Sequence, residues 1–196
     1  MPELKITKIY NQQELIGYGG NQDWFLDSWS QKAGCASILG SNMYTYYMNI
    51  EKTQKDDFLS IMNDLYSYMT PGKMGFPFFY KFAHQMVKRM GKENVHLTPT
   101  YLKKSKSVDM SNQFVKKSID QKHPVGVLVL SHLAKELEED NWHWVCISGY
   151  EIIEDKTIII FSNCGVRREI DADILFDVHP RNIVKLVRFE SRKENL

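Results

Sequence analysis

Apolar residues recur at helical spacing through the first half of the chain. From Cys35 to about Lys122 they stand three and four positions apart, so that one side of each segment is apolar. This spacing predicts amphipathic helices. Two segments show it most clearly, and their apolar positions are Phe58, Ile61, Met62, Leu65 and Met69 in the first and Phe79, Phe82, Met86, Val87 and Met90 in the second.

From Pro124 onward the pattern changes to that of β-strands. Short runs rich in valine and isoleucine alternate with polar or charged connections, which is typical of a sheet. A helical half at about 20–122 and a sheet half at about 123–190 predict a single α+β domain over 1–196, with a cleft where the halves meet. The four runs are PVGVLVL, WHWVCISGY, KTIIIFS and IVKLVRF.

The composition narrows the class of protein. The chain has 196 residues, 43% of them hydrophobic, and a formal net charge of +1, without the basic excess typical of nucleic-acid-binding proteins. No stretch approaches the ~20 apolar residues of a membrane span, and the N-terminal residues lack the order of a signal peptide. We therefore expect a cytoplasmic protein with no nucleic-acid or membrane partner. Its three cysteines show no CxxC spacing, so free thiols are expected, and no metal or cofactor is predicted.

Cys35 stands at the start of a predicted helix, in the segment GCASILGSNMYTYYM. The positive end of the helix dipole favours a thiolate, which is the nucleophilic form of cysteine, and Gly34 leaves room beside the sulfur. A buried cysteine that only packs is the alternative. The helix is predicted from one apolar face, which Ser37, Ser41 and Asn42 do not share, and that face consists of Ile38, Leu39, Met43, Tyr46 and Tyr47.

A histidine of the right kind follows in the sheet half. Of the six histidines, only His143 begins a strongly strand-like segment, HWVCISGY, which follows the polar stretch EEDN. Strand alternation places His143 on the face of Val145 and Ile147, whereas Trp144 and Cys146 point to the other face. A rigid strand is a suitable support for a catalytic imidazole, although a buried, hydrogen-bonded histidine has the same pattern.

The next strand ends at Asn163, and two hairpin registers are compatible with the sequence. If residues 151–155 form a five-residue loop centred on Ile153, Asn163 lies directly opposite His143. A two-residue turn at 154–155 instead displaces Asn163 by three positions, roughly 10 Å along the strand. We expect the longer loop, because the carboxamide can then hold the imidazole in one tautomer and orientation.

These segments together resemble a known family. GCAS opening a helix, PVGVLV as a strand, HWVCISGY as the histidine strand and FSNCG closing the next strand are similar to the papain-like cysteine peptidases over about 20–170. Within that superfamily the sequence most resembles the bacterial branch of bacteriocin-processing, double-glycine-leader peptidases. The segment around Cys35 lacks the second cysteine and the tryptophan of papain's own motif.

The resemblance implies a papain-like fold and a division of roles. Cys35, in the helical half, would face His143 and Asn163, in the sheet half, across a cleft. The family also implies a glutamine upstream of the cysteine that stabilises an oxyanion, and Gln22 in NQDW is the candidate. Gln31, which is nearer to the cysteine, is a second candidate for the same role. The segment HLAKELEED before His143 is either a lid or a surface excursion.

The sequence therefore predicts a cysteine-dependent hydrolase of peptide or amide bonds with a Cys35–His143–Asn163 triad and a peptide or amide-containing substrate. Two alternatives remain open. An acyltransferase would use the same triad with an amine or thiol in place of water. A non-catalytic binding module would keep the fold without the chemistry.

Overall fold

The computed structural model describes residues 1–193 and has a mixed α+β architecture. Within this range the α-helices and β-strands alternate irregularly along the chain. In chain order they are β1 (Lys8–Asn11), β2 (Glu14–Tyr18), α1 (Ser28–Ala33), α2 (Cys35–Tyr47), β3 (Lys52–Gln54), α3 (Lys55–Tyr68), α4 (Phe79–Gly91), β4 (Val95–Leu102), α5 (Val108–Asp120), β5 (Val125–Ser131), β6 (His143–Ile153), β7 (Lys156–Asn163), β8 (Val166–Asp171), α6 (Ala172–Leu175) and β9 (Ile183–Lys193).

The main sheet has six strands in the order β4-β9-β5-β6-β7-β8, and every neighbouring pair is antiparallel. The four strand-like runs of the sequence correspond to β5, β6, β7 and β9, so these predictions are confirmed. A second sheet of three short strands, in the order β2-β1-β3, lies in the N-terminal part of the chain.

Strand β4 departs from the helical half predicted at about 20–122. It lies within that half but pairs with β9 along its whole length and forms an edge of the main sheet. Its first residues alternate in burial, because Val95 and Leu97 are buried whereas His96 and Thr98 are exposed. This period of two is the strand signal, but it spans too few residues to stand out between two helical segments.

The two faces of the main sheet carry separate cores. Trp144 and Cys146 on β6 pack with residues of α2 and α4, whereas Val145 and Ile147 pack with residues of α5 and α6. The predicted alternation along β6 is therefore confirmed. A third core, between the small sheet, α2 and α3, includes Ile9.

Helix α2 begins at Cys35 as predicted, but it is not amphipathic. Ser37, Ser41 and Asn42 are buried along with the apolar positions, since elements cover the helix on several sides. Ser41 Oγ donates a local hydrogen bond to the Ser37 carbonyl at 2.8 Å, and Asn42 Oδ1 accepts from the Gly20 amide at 2.9 Å, whereas Ser37 Oγ has no hydrogen-bond partner among residues 1–193. The prediction of a single apolar face was wrong for this helix.

Within residues 1–193, no helix combines the length and the apolar character needed to cross a membrane.

The N-terminal segment adds hydrogen bonds to an irregular position of β6. The Leu4 amide donates to the Ser148 carbonyl at 2.7 Å, and the Tyr150 amide donates to the Pro2 carbonyl at 3.1 Å. Gly149 between them has no space for a side chain, because a Cβ there would lie 2.8 Å from the Pro2 oxygen and 3.0 Å from Glu3 Cα. The segment can approach β6 only because residue 149 is a glycine.

We expect Gly149→Ala to lower the free energy of unfolding by about 1–3 kcal/mol, since backbone of the N-terminal segment must move to admit the methyl group. Gly91→Ala is the matched control, because no atom lies within 4 Å of a Cβ at that position, and it should change stability by less than about 1 kcal/mol. Urea unfolding of the two variants measures the difference. Equal stability in both would show that the N-terminal segment does not constrain Gly149.

Candidate active site

Cys35 is the first residue of α2, where Gly34 separates this helix from α1. A Cβ on Gly34 would lie 2.5 Å from the Ser30 carbonyl oxygen and 2.6 Å from the Phe25 ring, so only glycine fits between the two helices. The glycine thus makes room for the preceding helix and the Phe25 ring. Cys35 itself is 7% exposed.

His143 is the first residue of β6, and Asn163 is the last residue of β7. His143 Nε2 lies 2.8 Å from Asn163 Oδ1, so the two predicted partners are hydrogen-bonded. Because an amide oxygen only accepts, Nε2 carries the hydrogen of this bond. Nδ1 remains as the ring nitrogen available to the thiol of Cys35.

The hairpin that brings these two residues together differs from the predicted one. Its turn has two residues, Glu154 and Asp155, both with positive φ, and Ile153 pairs with Lys156. Since both central residues are left-handed, as a tight hairpin turn requires, the five-residue loop centred on Ile153 was a wrong prediction.

A β-bulge keeps Asn163 within reach of His143 despite the short turn. Ile147 pairs with Phe161 and Gly149 with Ile160, so Ser148 is an extra residue in β6. The last pair on the side of His143 is Cys146 with Ser162. The next position in the same register puts Asn163 opposite Val145. Without the bulge it would lie opposite Cys146, on the other face of the sheet.

Asp140 is a site residue that the sequence reasoning missed. It ends a short 3₁₀ helix at Lys135–Asp140, is 2% exposed, and accepts a hydrogen bond of 2.6 Å from Asn163 Nδ2. Arg168 Nη1 pairs with its carboxylate at 3.3 Å. By binding the amide nitrogen, Asp140 turns the amide oxygen of Asn163 toward His143.

The segment HLAKELEED therefore has a defined role in the geometry, because its last residue contacts the site. The signal was present in the sequence as an acidic residue three positions before His143. The sequence alone does not distinguish Asp140 from Glu138 and Glu139, which are also acidic but exposed.

The thiol of Cys35 and the imidazole of His143 shift each other's pKa. Burial raises the pKa of Cys35, but a hydrogen bond with His143 and its positive charge lower it more, so the net pKa is below the ordinary value. Burial lowers the pKa of His143, but hydrogen bonds with Cys164 and Cys35 raise it well above the ordinary value. Both shifts favour a thiolate and an imidazolium as neighbours.

The other two cysteines are in different environments. Cys146 is fully buried, and burial raises the pKa of its thiol to about 12. Cys164 follows Asn163 in the turn before β8, is partly exposed, and its Sγ lies 3.9 Å from His143 Nε2. The sequence reasoning did not place Cys164 beside the imidazole.

Gln22 and Gln31 lie in different places. Gln22 lines a cavity of about 10 Å³ together with Cys35, His143 and Cys164, which is room for about one water molecule. Its Oε1 is buried and has no hydrogen-bond partner among residues 1–193. Gln31 Nε2 instead donates to the Phe25 carbonyl at 2.7 Å.

The segment that carries Gln22 is tied to α2. The Gly20 amide donates to Asn42 Oδ1 at 2.9 Å, and Asn42 Nδ2 lies 3.3 Å from Ser162 Oγ on β7. The buried polar side chain of Asn42 thus connects the glutamine segment, the cysteine helix and the asparagine strand. From the sequence, Asn42 was predicted only as a polar residue outside the apolar face of α2.

In the part of the chain that the structure describes, no group of three or more histidine, cysteine, aspartate or glutamate side chains is arranged to hold a metal ion. Comparison with known proteins yields no matching family model and no curated protein of similar sequence.

We expect Cys35 to react with iodoacetamide faster than Cys146 or Cys164 near neutral pH, because its thiolate is stabilised by His143. Its labelling rate should persist below the ordinary cysteine pKa of about 8.5 and should lose that low-pH component in His143→Ala. Peptide mapping by mass spectrometry across a pH series measures the rate at each cysteine. Faster labelling of Cys146 or Cys164 in the unaltered protein would contradict the assignment.

Proposed function

We propose that the protein is a cysteine-dependent hydrolase of peptide or amide bonds with a papain-like fold. The observation that carries the proposal is the position of His143, which is hydrogen-bonded to Asn163 and lines the same small cavity as the thiol of Cys35, whose pKa it lowers. A nucleophile, a base and a group that orients the base are the parts of this type of catalysis.

The fold supports the proposal through the origin of each part. The nucleophile begins a buried helix, and the base and its orienting residue come from adjacent antiparallel strands. The resemblance in sequence to papain-like peptidases implies this same division between a helical and a sheet half. A binding module would not need the thiolate–imidazolium pair that the two pKa shifts favour.

In the proposed reaction, the Cys35 thiolate attacks the substrate carbonyl carbon and forms a tetrahedral oxyanion. The side-chain amide of Gln22 and the backbone N–H of Cys35 would donate hydrogen bonds to that oxygen. The C–N bond then breaks, and His143 gives its proton to the leaving amine, so that an acyl thioester of Cys35 remains. His143 next takes a proton from water, whose oxygen attacks the thioester and releases the acid and the thiolate.

Asn163 and Asp140 take no part in bond making in this scheme. Asn163 keeps the Nε2 hydrogen of His143 directed away from the sulfur, and Asp140 keeps the Asn163 amide in the orientation that does so. They are positioning residues, and Arg168 neutralises part of the charge of the buried Asp140 carboxylate.

We expect Cys35→Ala and His143→Ala each to abolish turnover, and the double variant to be scarcely worse, because both residues act in one catalytic unit. A panel of peptide, isopeptide and acyl-thioester reporters, each with water and with an added amine as acceptor, measures hydrolysis and acyl transfer separately. Asn163→Ala should lose less activity than either. Full activity of Cys35→Ala on any reporter would refute the mechanism, and a product formed only with the amine would identify an acyltransferase.

The same assay distinguishes the two glutamines. Gln22→Ala should lower kcat by roughly 10²-fold or more if its amide stabilises the oxyanion. Gln31→Ala is the control, because its amide is engaged with the Phe25 carbonyl. Loss of activity in Gln31→Ala alone would transfer the role to that residue.

We expect a bell-shaped pH profile whose acid limb reports the thiolate of Cys35 and whose alkaline limb reports the imidazolium of His143. Asp140→Ala should lower kcat and move the alkaline limb to lower pH, since a freely turning amide and the loss of a nearby carboxylate both make the imidazolium less stable. Glu139→Ala is the matched control, because this neighbouring carboxylate is exposed. An unchanged pH profile in Asp140→Ala would show that Asp140 does not act through His143.

A further inference from the structure

A second, larger space opens beside Cys35. It has a volume of about 310 Å³, and Cys35 lines both this space and the small cavity that contains Gln22. Pockets that hold ligands start at about 300 Å³ and are mostly lined by apolar and aromatic side chains. We call this space the apolar cleft, and its main walls are Trp29, Ala33, Met74 and Trp142.

The walls of the apolar cleft are large side chains that folding has left accessible. Trp29 is 44% exposed, Met74 is 68% exposed and Trp142 is 54% exposed. They come from α1, from the connection between α3 and α4, and from the residue before β6, so three separate segments converge on the nucleophile. Exposed apolar side chains gathered around one concave space are typical of ligand-binding grooves.

The backbone of Trp142 is a separate observation that points to the same place. Its φ is 60°, in the left-handed region that bulky residues rarely adopt. Such a conformation costs about 1–3 kcal/mol and is typically found at functional sites. Trp142 directly precedes His143, and this residue with unusual backbone conformation places its indole on the wall of the cleft that Cys35 also lines.

We propose that the apolar cleft binds a bulky apolar side chain, of the size of leucine or phenylalanine, next to the carbonyl that Cys35 attacks. The proposal rests on the proposed hydrolase function and defines its substrate class as peptides or amides with such a group beside the scissile bond. Lys32 is the only charged side chain among the residues that line the cleft. An acidic substrate group attracted by Lys32 is therefore the competing possibility.

Covalent labelling of Cys35 tests the cleft without requiring turnover. Three iodoacetamides with N-benzyl, N-hydroxyethyl and N-carboxymethyl groups alkylate the thiolate by the same displacement of iodide, and peptide mapping gives the rate at Cys35. The benzyl reagent should react about tenfold faster or more than the hydroxyethyl reagent, which is the discrimination expected of an apolar pocket. A fastest reaction with the carboxymethyl reagent would overturn the proposal in favour of Lys32.

Variants assign the preference to the cleft. Trp29→Ala and Met74→Ala should each bring the benzyl-to-hydroxyethyl rate ratio toward one, whereas Met110→Ala should leave it unchanged. Met110 is a matched control because it is an exposed methionine, 38% accessible, on α5 and outside the cleft. An unchanged ratio in both cleft variants, or no alkylation of Cys35 by any reagent, would overturn the proposal. Circular dichroism confirms that each variant is folded.

The labelling and reporter experiments separate the two proposals. A benzyl preference without turnover of any reporter would reject the hydrolase and retain the apolar cleft. Turnover of reporters irrespective of the side chain beside the scissile bond, with equal labelling rates, would reject the cleft and retain the hydrolase.

Discussion

The packing of α2 against the main sheet is the contact on which the site depends. Leu39 and Met43 lie against Gly126 of β5, where a Cβ would come within 3.0 Å of Leu39 Cδ2 and 3.2 Å of Met43 Cε. Because the helix can come this close, its first residue, Cys35, reaches the imidazole at the start of β6. A side chain at position 126 would make Leu39 and Met43 give way by a few tenths of an ångström, which would disturb the packing of α2 on the strand next to β6.

The pair formed by Cys35 and His143 lies in a place where burial works against both charges. Each group alone would be neutral there, since desolvation raises the pKa of a thiol and lowers that of an imidazole. Together, and with Cys164 also raising the pKa of His143, they reverse these tendencies, so the thiolate and the imidazolium stabilise each other. Cys146 shows the opposite outcome, because its thiol is buried without such a partner among residues 1–193 and its pKa rises to about 12.

The orientation of His143 depends on a series of buried polar contacts. Its Nε2 bonds to Asn163, Asn163 bonds to Asp140, and Asp140 pairs with Arg168. Each member fixes the donor and acceptor roles of the next, which a single hydrogen bond to a freely turning amide would not do. The apolar cleft beside Cys35 is lined mainly by apolar and aromatic side chains, so the surroundings of the thiol there differ in chemistry from the polar contacts around His143.

Local patterns in the sequence determined the cysteine helix, the four strands β5, β6, β7 and β9, and the face of β6 on which His143 lies, because these follow from periods of 3.6 and 2 within short segments. The contact between His143 and Asn163 was also expected, but the prediction rested on a five-residue hairpin loop, and the structure has a two-residue turn instead. Only the tertiary structure decided the bulge at Ser148, the contact of Asp140 with Asn163, the burial of the polar side of α2, and the convergence of Trp29, Met74 and Trp142. Each of these depends on segments far apart in the chain that meet only when the sheet and the helices have packed, so no period or spacing within one segment contains them.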